Sequence, residues 1–417
     1  MAKSKVASNT VMLYVMTVAK LIFPLLTMPY LTRVLSEVGY GFVSYVKSCM
    51  TYMQLIVDFG FILSSVKDIV KASGDNQKIG QIAGNTVVSK ILLGIVAAVA
   101  LIVMCFAIDI LRINTTFVIL SFVTVFTTAF LADFLFRGIE KMHYITVTYL
   151  VAKTISTALT FVLVKDDSTM MWIPILDIIS NLISIAIAFA IIKKLKIKIS
   201  FTGLKDCFNM IKDSFSYFLS SVATTAFAAL NTLLIGIYIT DLTEVANWSL
   251  CLTIISAIQG LYTPITNSVY PHMIKAKDLK FIHKILLIFM PVVIVGCVIC
   301  YYFADLALFI VGGEKYVEAS GLFRLMIPIL FFSFPAQVYG WPTLGAIGKV
   351  KQTTISTTVT AVVQVLGLAV LMIIDKFTLN ALAILRFSTE ALMMIIRMSM
   401  TYKNRKSFTG DKVIEQR

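Results

Sequence analysis

Long apolar segments alternate with short polar connections along the whole chain. A membrane-spanning helix needs about 20 mostly apolar residues, and reading for such stretches predicts twelve spans. The stretches are apolar on every side, unlike the alternating strands of a membrane barrel, so each is predicted to be a helix. The predicted spans are 9–31, 39–64, 86–108, 116–136, 143–164, 171–192, 217–239, 247–271, 285–304, 320–341, 353–374 and 378–400.

The longest inner connection, 193–216, splits the spans six and six. Its second half carries apolar residues at helical spacing from Phe201 to Phe215 with charged residues opposite, a pattern typical of a helix lying on the inner membrane face. The predicted domains are an N-terminal six-helix bundle over 1–192, a cytoplasmic linker over 193–216, a C-terminal six-helix bundle over 217–400 and a basic cytoplasmic tail over 401–417.

A short internal repeat supports this division. At an offset of 207, residues 35–38 (LSEV) align with residues 242–245 (LTEV), and each follows the first predicted helix of its half. Six crossings return the chain to the same side, so the repeat is parallel and a substrate cavity is expected between the bundles. The predicted fold class is therefore all-α integral membrane, with twelve transmembrane helices in two six-helix bundles.

Composition and charge refine this prediction. The 417 residues are 59% hydrophobic and 14% charged, whereas a soluble domain is about 25% charged, which excludes a soluble enzyme. With the N-terminus inside, the inner segments hold 24 Lys and Arg residues and the outer loops hold 5, so both termini are predicted to be cytoplasmic. The net charge of +14 is mostly a record of this orientation, and no nucleic acid partner is expected.

Signatures of enzymes, cofactors and metals do not fit the chain. It has no GxxxxGK[ST] phosphate loop. Asp58-Phe59-Gly60 spells a kinase metal motif but lies in a membrane span without the other kinase elements. Cys297 and Cys300 form a CxxC with no second pair to complete a zinc site. No cofactor and no metal are predicted.

Cations inside the spans are costly and usually face a cavity or a partner. Lys20 and Lys153 lie near the middle of their spans and are predicted to line a water-filled cavity. Lys47 is nearer an end, and the sequence does not decide whether it lines the cavity or reaches the interface. Three others lie within about one turn of an end and are expected to snorkel to the interface: Lys90, Arg324 and Arg397. The spans hold seven cations and four acids, which favours an anionic substrate.

The acids of the spans are candidates for ion coupling. Arg386 and Glu390 are four residues apart on one helix face and either neutralise each other or leave Glu390 in the cavity as a proton- or cation-coupling carboxylate. Arg386 is then a candidate for substrate binding together with the lysines. Asp58, Asp133 and Asp177 lie nearer the helix ends and are weaker coupling candidates.

Prolines within the spans permit helix kinks, because they remove a backbone donor. Gating helices use such kinks, although kinks that serve packing alone fit the pattern equally well. The candidates are Pro24 and Pro29 in the first span and Pro264 and Pro271 in the eighth.

Four motifs in order resemble the bacterial polysaccharide flippases of the Wzx type. Residues 9–41 (NTVMLYVMTVAKLIFPLLTMPYLTRVLSEVGYG) resemble the opening of that family, and 58–61 (DFGF), 134–146 (FLFRGIEKMHYIT) and 267–271 (NSVYP) resemble later segments. The similarity extends through all twelve predicted helices. The chain departs from the family at Phe134, where Trp is usual, and at Arg137, where Gln is usual.

The resemblance implies the fold of the multidrug/oligosaccharidyl-lipid/polysaccharide exporter superfamily, with two six-helix bundles in a V that opens alternately to each side. It also implies a bacterial inner-membrane protein whose substrate is an undecaprenyl-diphosphate-linked oligosaccharide, moved to the periplasmic leaflet for O-antigen, lipopolysaccharide or capsule assembly. Polymerase and chain-length proteins of the same pathway are the partners it suggests. The diphosphate is an anion that Lys20 and Lys153 could attract.

Two alternatives stay open at the level of sequence. One is a cation-coupled drug or metabolite exporter of the related multidrug family; a major facilitator fits less well, because residues 64–81 lack that family's GxxxDRxGRR pattern. The other is a membrane polysaccharide polymerase or glycosyltransferase. Such enzymes usually carry a large outer loop, and the longest predicted outer loop here is 305–319.

Overall fold

The computed structural model describes residues 2–408, with side-chain burial from residue 11 on except at 13, 220, 223, 224 and 226–229. Over this range the chain forms helices and short connections and no strand. It divides into two compact units, one ending at Thr225 and the other beginning at Ala226. Of the predicted cytoplasmic tail, residues 409–417 lie outside the described residues.

The first unit is formed by helices from α1 to the first part of α10. Side chains cap several of them: Ser36 accepts from the backbone N–H of Gly39 at the start of α2, and Asp75 and Asn114 do the same at the starts of α4 and α6. The helices are α1 Ala2–Val34, α2 Glu37–Asp58, α3 Phe61–Lys71, α4 Asn76–Ala107, α5 Asp109–Ile113, α6 Thr115–Thr127, α7 Asp133–Gly138, α8 Met142–Leu163, α9 Trp172–Lys194 and α10 Leu204–Tyr238.

The second unit contains the end of α10 and the helices that follow. Asp241, Asp278 and Thr378 cap α11, α13 and α18. A π-helical segment, Tyr339–Gly345, continues α16. The helices are α11 Leu242–Gly260, α12 Tyr262–Ala276, α13 Leu279–Tyr302, α14 Ala304–Gly312, α15 Ser320–Met326, α16 Pro328–Val338, α17 Val350–Ile373 and α18 Leu379–Lys403.

Ten segments of the described residues are long and apolar enough to cross a membrane, and an eleventh is added if the bent pair Glu314–Met326 and Pro328–Gly345 forms one span. Each coincides with a predicted span. The remaining prediction, 217–239, falls within α10, whose side chains are only partly described. The all-helical fold with ten or eleven candidate membrane spans is confirmed in this part of the chain, whereas the count of twelve in two bundles stays a prediction.

Small side chains are frequent among the buried residues of the first unit. Ala152, Ser156 and Thr160 repeat at four-residue spacing on α8, and α9, which packs against α8, buries Ser180 and Ser184. Small residues at this spacing let two membrane helices approach closely, since lipid offers no hydrophobic drive for their association. The outward face of α4 is instead large and apolar, as a lipid-facing surface requires.

The second predicted span is not one helix. It breaks at Phe59 and Gly60, which both have positive φ (40° and 79°). A β-carbon at Gly60 would lie 2.6 Å from Cβ of Tyr217, so this position needs glycine both for its backbone conformation and for the close approach of α10. The DFGF motif of the sequence is therefore a helix junction.

The amphipathic segment before the seventh predicted span is part of a longer helix. α10 runs from Leu204 to Tyr238 without interruption, because no proline and no glycine before Gly236 breaks its backbone hydrogen bonding. The predicted amphipathic helix is therefore present, but it is continuous with the segment of the seventh predicted span. Its apolar residues Phe208 and Phe215 are exposed, as predicted for contact with lipid. The assignment of 193–216 as a linker domain stays a prediction.

The offset of 207 also relates the helix boundaries of the two units. Trp172, the first residue of α9, shifts onto Leu379, the first residue of α18. Met142 at the start of α8 shifts onto position 349, one residue before α17 begins. The correspondence is therefore much longer than the four-residue match that suggested it.

Candidate functional site

The polar interior of the first unit lies around two cavities. The first has a volume of about 290 Å³ and is lined by side chains of α1, α6, α8 and α9, among them Lys20 and Lys153. The second, of about 270 Å³, includes Lys47 of α2. Thr124 and Asp177 line both cavities, so the two share a wall. We call them the first and second cavities.

Lys153 forms an ion pair inside the first cavity. Its Nζ donates to Oδ1 of Asp177 at 2.8 Å, and the side chains of both partners are 29% exposed. The pair joins α8 to α9. The sequence placed Lys153 on a cavity and the structure agrees, but the pairing with Asp177 depends on the rotation of two helices and was not predicted.

Lys20 and Asp133 lie on the same cavity without such a pair. The ammonium of Lys20 is 5.5 Å from the ring centre of Tyr149, a cation–π distance. Asp133 lines the cavity at the start of α7, and no described residue lies within ion-pair distance of its carboxylate. The cavity thus contains two ammonium groups and two carboxylates. One ammonium group, that of Lys153, is bound to one carboxylate, that of Asp177.

Lys47 lines the second cavity. The sequence alone did not decide whether this residue faces a cavity or the membrane interface. Its side chain is exposed, and Gln54, Thr51 and Asp177 line the same space. Three of the four cation candidates of the sequence, Lys20, Lys47 and Lys153, therefore come together around one pair of cavities.

The fourth span is interrupted where it borders the first cavity, between α6 and α7, at residues 128–132. Two side-chain amides donate hydrogen bonds to groups at and just before this break. Gln54 Nε2 donates to Thr128 Oγ1 at 2.9 Å, and Asn181 Nδ2 donates to the Thr124 carbonyl at 3.0 Å. Irregular backbone at membrane depth is tolerated where it is buried in protein or lines a water-filled cavity. Gln54 and Asn181 were missed in the sequence, although uncharged amides within apolar spans are a usable signal.

Asp58 is bound to a lysine that was expected to snorkel. Lys90 is only 7% exposed, and its Nζ donates to Asp58 Oδ1 at 2.8 Å. Gln54 Nε2 donates to the other carboxylate oxygen at 2.7 Å. The snorkelling prediction for Lys90 is wrong, because α2 supplies a carboxylate within the protein. Neither residue of this pair is among those that line the two cavities.

Arg386 and Glu390 pair with each other on α18 in the second unit. Arg386 Nη1 donates to Glu390 Oε2 at 2.7 Å, and both residues are buried. Beside them a buried chain of hydrogen bonds runs from Thr389 to Gln364 and from Gln364 to Asn231. The self-paired alternative of the sequence thus describes this structure, and the coupling role of Glu390 stays untested.

Arg397 of α18 is buried and does not snorkel. Its guanidinium donates to Ser356 Oγ at 3.0 Å, to the Ala336 carbonyl at 2.8 Å and to Thr357 Oγ1 at 2.9 Å. The expectation for Arg397 is therefore wrong, because α16 and α17 supply acceptors inside the unit. Arg324 lies near the N-terminal end of its span and pairs with Asp305 at 2.8 Å.

The tenth span is also broken. Its two parts, Glu314–Met326 and Pro328–Gly345, meet at 43°, and Gly340 within the π-helical segment is non-helical (φ −69°, ψ −118°). Shifting Asp133, which follows the break of the fourth span, by 207 gives Gly340. Interrupted segments at corresponding positions of two halves are a pointer to the working parts of a transporter.

The proline candidates do not coincide with these breaks. α1 continues through Pro24 and Pro29, and α12 continues through Pro271. Pro264 lies in the first turn of α12, three residues after the junction at Leu261. Their gating role stays a prediction.

Polar residues outside the two cavities form a different kind of environment. No set of three or more His, Cys, Asp or Glu side chains among the described residues is arranged to hold a metal ion. The second unit has an open cavity of about 830 Å³ lined by Asp241, Glu244 and Glu318 together with Asn247 and Asn380. This cavity is acidic, the opposite of the lysine-rich cavities of the first unit.

Known sequences match most of the chain. The family described as "Polysaccharide biosynthesis protein" matches residues 6–277. A protein of Shigella dysenteriae named "Putative O-antigen transporter" is 28% identical over 281 residues, which cover 66% of this chain and 69% of that protein. A protein of Escherichia coli (strain K12) with the same name is 26% identical over 350 residues, covering 81% of this chain and 83% of that protein.

Solved structures share the fold. The lipid II flippase MurJ in an inward closed conformation has a TM-score of 0.72 and 14% identity, covering 94% of this chain and 87% of that chain. An inward-facing multidrug resistance MATE family transporter of the MOP superfamily has a TM-score of 0.70 and 13% identity, covering 94% and 99%. At such identities the likeness concerns the fold alone.

Proposed function

We propose that this chain, which belongs to the polysaccharide biosynthesis protein family, is a flippase for a lipid-linked oligosaccharide. The proposed substrate is an undecaprenyl-diphosphate-linked glycan repeat unit, moved from the cytoplasmic to the periplasmic leaflet by alternating access for O-antigen or capsule assembly. Its relatives are named as transporters, so the chain works in transport rather than catalysis. The polymerase and glycosyltransferase alternatives are set aside.

The lysine-lined cavities of the first unit carry this proposal. Ammonium groups inside a membrane protein are costly unless they face a partner or water, and Lys20, Lys47 and Lys153 face the two cavities. Phosphate oxygens form strong charge-assisted hydrogen bonds with ammonium donors. The first cavity has room for on the order of ten water molecules, which is the scale of a diphosphate head group. We assign Lys20 and Lys153, which line this cavity, to the diphosphate and place the glycan and lipid outside it.

The finer architecture is part of the proposal. We propose twelve spans in two six-helix bundles arranged as a V, with both termini on the cytoplasmic side of a bacterial inner membrane. The excess of 24 inner over 5 outer Lys and Arg residues supports this orientation. The repeated helix boundaries at an offset of 207 support a parallel duplication.

Asp133 is the coupling carboxylate that we propose. Asp58, Asp177 and Glu390 each have a cation within 2.8 Å, whereas Asp133 lines the cavity and, among the described residues, has no ion-pair partner. A carboxylate without a resident cation is free to take up and release a proton or a cation during the cycle. This proposal replaces Glu390 as the first candidate.

The substrate proposal is tested in cells that lack the gene. We expect complete lipid-linked glycans to accumulate untranslocated, which separates a flippase from a drug exporter. Lys20→Ala and Lys153→Ala should reduce surface glycan while the protein still inserts, and the double variant should reduce it further. Lys165→Ala, an exposed lysine of a connecting loop, is the matched control. Wild-type display in both single variants and the double would refute the lysine site.

The coupling proposal is tested by transport in vesicles under an imposed proton or sodium gradient. Asp133→Asn should remove the gradient dependence, and Glu390→Gln should retain it. The reverse result would move coupling to the second unit.

A further inference from the structure

Asp177 lies on the wall shared by the first and second cavities. Its carboxylate accepts a hydrogen bond from Lys153 Nζ at 2.8 Å, and both residues line the first cavity. Asp177 also lines the second cavity together with Lys47. α9 thus presents a single carboxylate between two ammonium groups that come from different helices, α8 and α2.

The ion pair at Lys153 is partly exposed to the first cavity. Each of its side chains is 29% exposed, and an ion pair that water can reach contributes little net stability. A sealed pair would be hard to break, because removal of either partner leaves a buried charge. The pair at Lys153 is therefore one that an entering anion can reach and separate.

An anionic ligand competes with Asp177 for the same cation. Lysine is a compact point charge with three donors, and a phosphate group bound to Lys153 brings negative charge next to the Asp177 carboxylate. Like charges repel more strongly at this partly exposed site than in bulk water. Lys47 offers the displaced carboxylate a second cation on the far side of the same wall.

We propose that Asp177 is an exchangeable counterion, which holds Lys153 in the empty site and turns to Lys47 when a diphosphate occupies Lys153. This inference rests on the proposed function, since it requires an anionic head group. It gives a reason for a carboxylate in a cavity assigned to an anion: the empty site stays close to neutral inside the membrane, where an uncompensated ammonium is unfavourable. Asp177 then sets both the affinity and the release of the substrate.

The experiment measures binding of farnesyl diphosphate to the purified full-length protein in lipid nanodiscs, with farnesol as the uncharged control. Asp177→Asn removes the competing charge and keeps the shape, so we expect binding to tighten by about five- to tenfold. Lys153→Met should weaken binding by at least about tenfold. Asp305→Asn is the matched control, because Asp305 is also paired at 2.8 Å, with Arg324, but is not among the residues that line either cavity. Its affinity should equal that of the wild type.

A second set of variants tests Lys47 and leaves the pair of Lys153 and Asp177 intact in one of its two backgrounds. Lys47→Met should weaken binding in the protein that retains Asp177 and should have a smaller effect in the Asp177→Asn background, since the exchange partner is then absent. Equal or weaker binding by Asp177→Asn, or an equal Lys47→Met effect in both backgrounds, overturns the exchange and leaves the proposed function standing. If the wild type does not distinguish farnesyl diphosphate from farnesol, the anionic substrate site itself fails and the exchange fails with it.

Discussion

The ion pair between Lys90 and Asp58 permits a prediction in which the two single substitutions have unequal effects. The side chain of Lys90 is 9% exposed and that of Asp58 is 45% exposed. Asp58→Asn therefore leaves a buried ammonium, whereas Lys90→Met leaves a carboxylate that water reaches and that Gln54 still contacts at 2.7 Å. We expect Asp58→Asn to be the more destabilising of the two.

The magnitude follows from this difference in exposure. Removing one partner of a fully buried pair costs about 3–5 kcal/mol. The half-exposed carboxylate and the ring of Phe134, 5.9 Å from the ammonium, lower this to about 2–3 kcal/mol for Asp58→Asn. Lys90→Met should cost about 1 kcal/mol or less. The double variant no longer buries a charge, so it should resemble Lys90→Met, with a coupling free energy of about 2 kcal/mol.

The assay is the free energy of unfolding of the purified protein in bicelles, measured for the wild type, both single variants and the double. Equal costs for the single variants would show that the exposure difference does not control stability. Additive costs in the double would show that the two charges do not depend on each other, and either result would refute the reasoning.

Three further substitutions test the backbone and loop contacts. Gly60→Ala should lower the unfolding free energy by about 1–3 kcal/mol, because φ is +79° and the new Cβ has no space. Gly340→Ala should lower the unfolding free energy by about 1–3 kcal/mol, since the new Cβ would lie 2.9 Å from Nη1 of Arg397, which is held by hydrogen bonds. Gly321→Ala is the control, because a Cβ there would have no atom within 4 Å, and it should be neutral or stabilising in the same measurement. Asp167→Ala should cost about 1 kcal/mol, because its carboxylate accepts from the backbone N–H of Ser36 at 2.9 Å; an unchanged thermal midpoint would contradict this.

Several features could be predicted because they depend only on local composition. Apolar length determines where a helix crosses a membrane, so each of the spans counted in the described residues coincides with a predicted one. Depth within a span placed Lys20 and Lys153 on a cavity. The offset of 207 was visible in four residues and relates whole helices in the structure.

Other features depended on which helices meet, and only the tertiary structure decided them. Lys90 and Arg397 were expected to reach the membrane surface, yet neighbouring helices supply acceptors for both. The pairing of Asp177 with Lys153, and its position between two cavities, follow from the rotation of α8 and α9. Hydropathy reports how long a segment is and how deep a residue lies. It does not report the direction in which a side chain points, and in a membrane that direction decides whether a charge meets a partner, water or lipid.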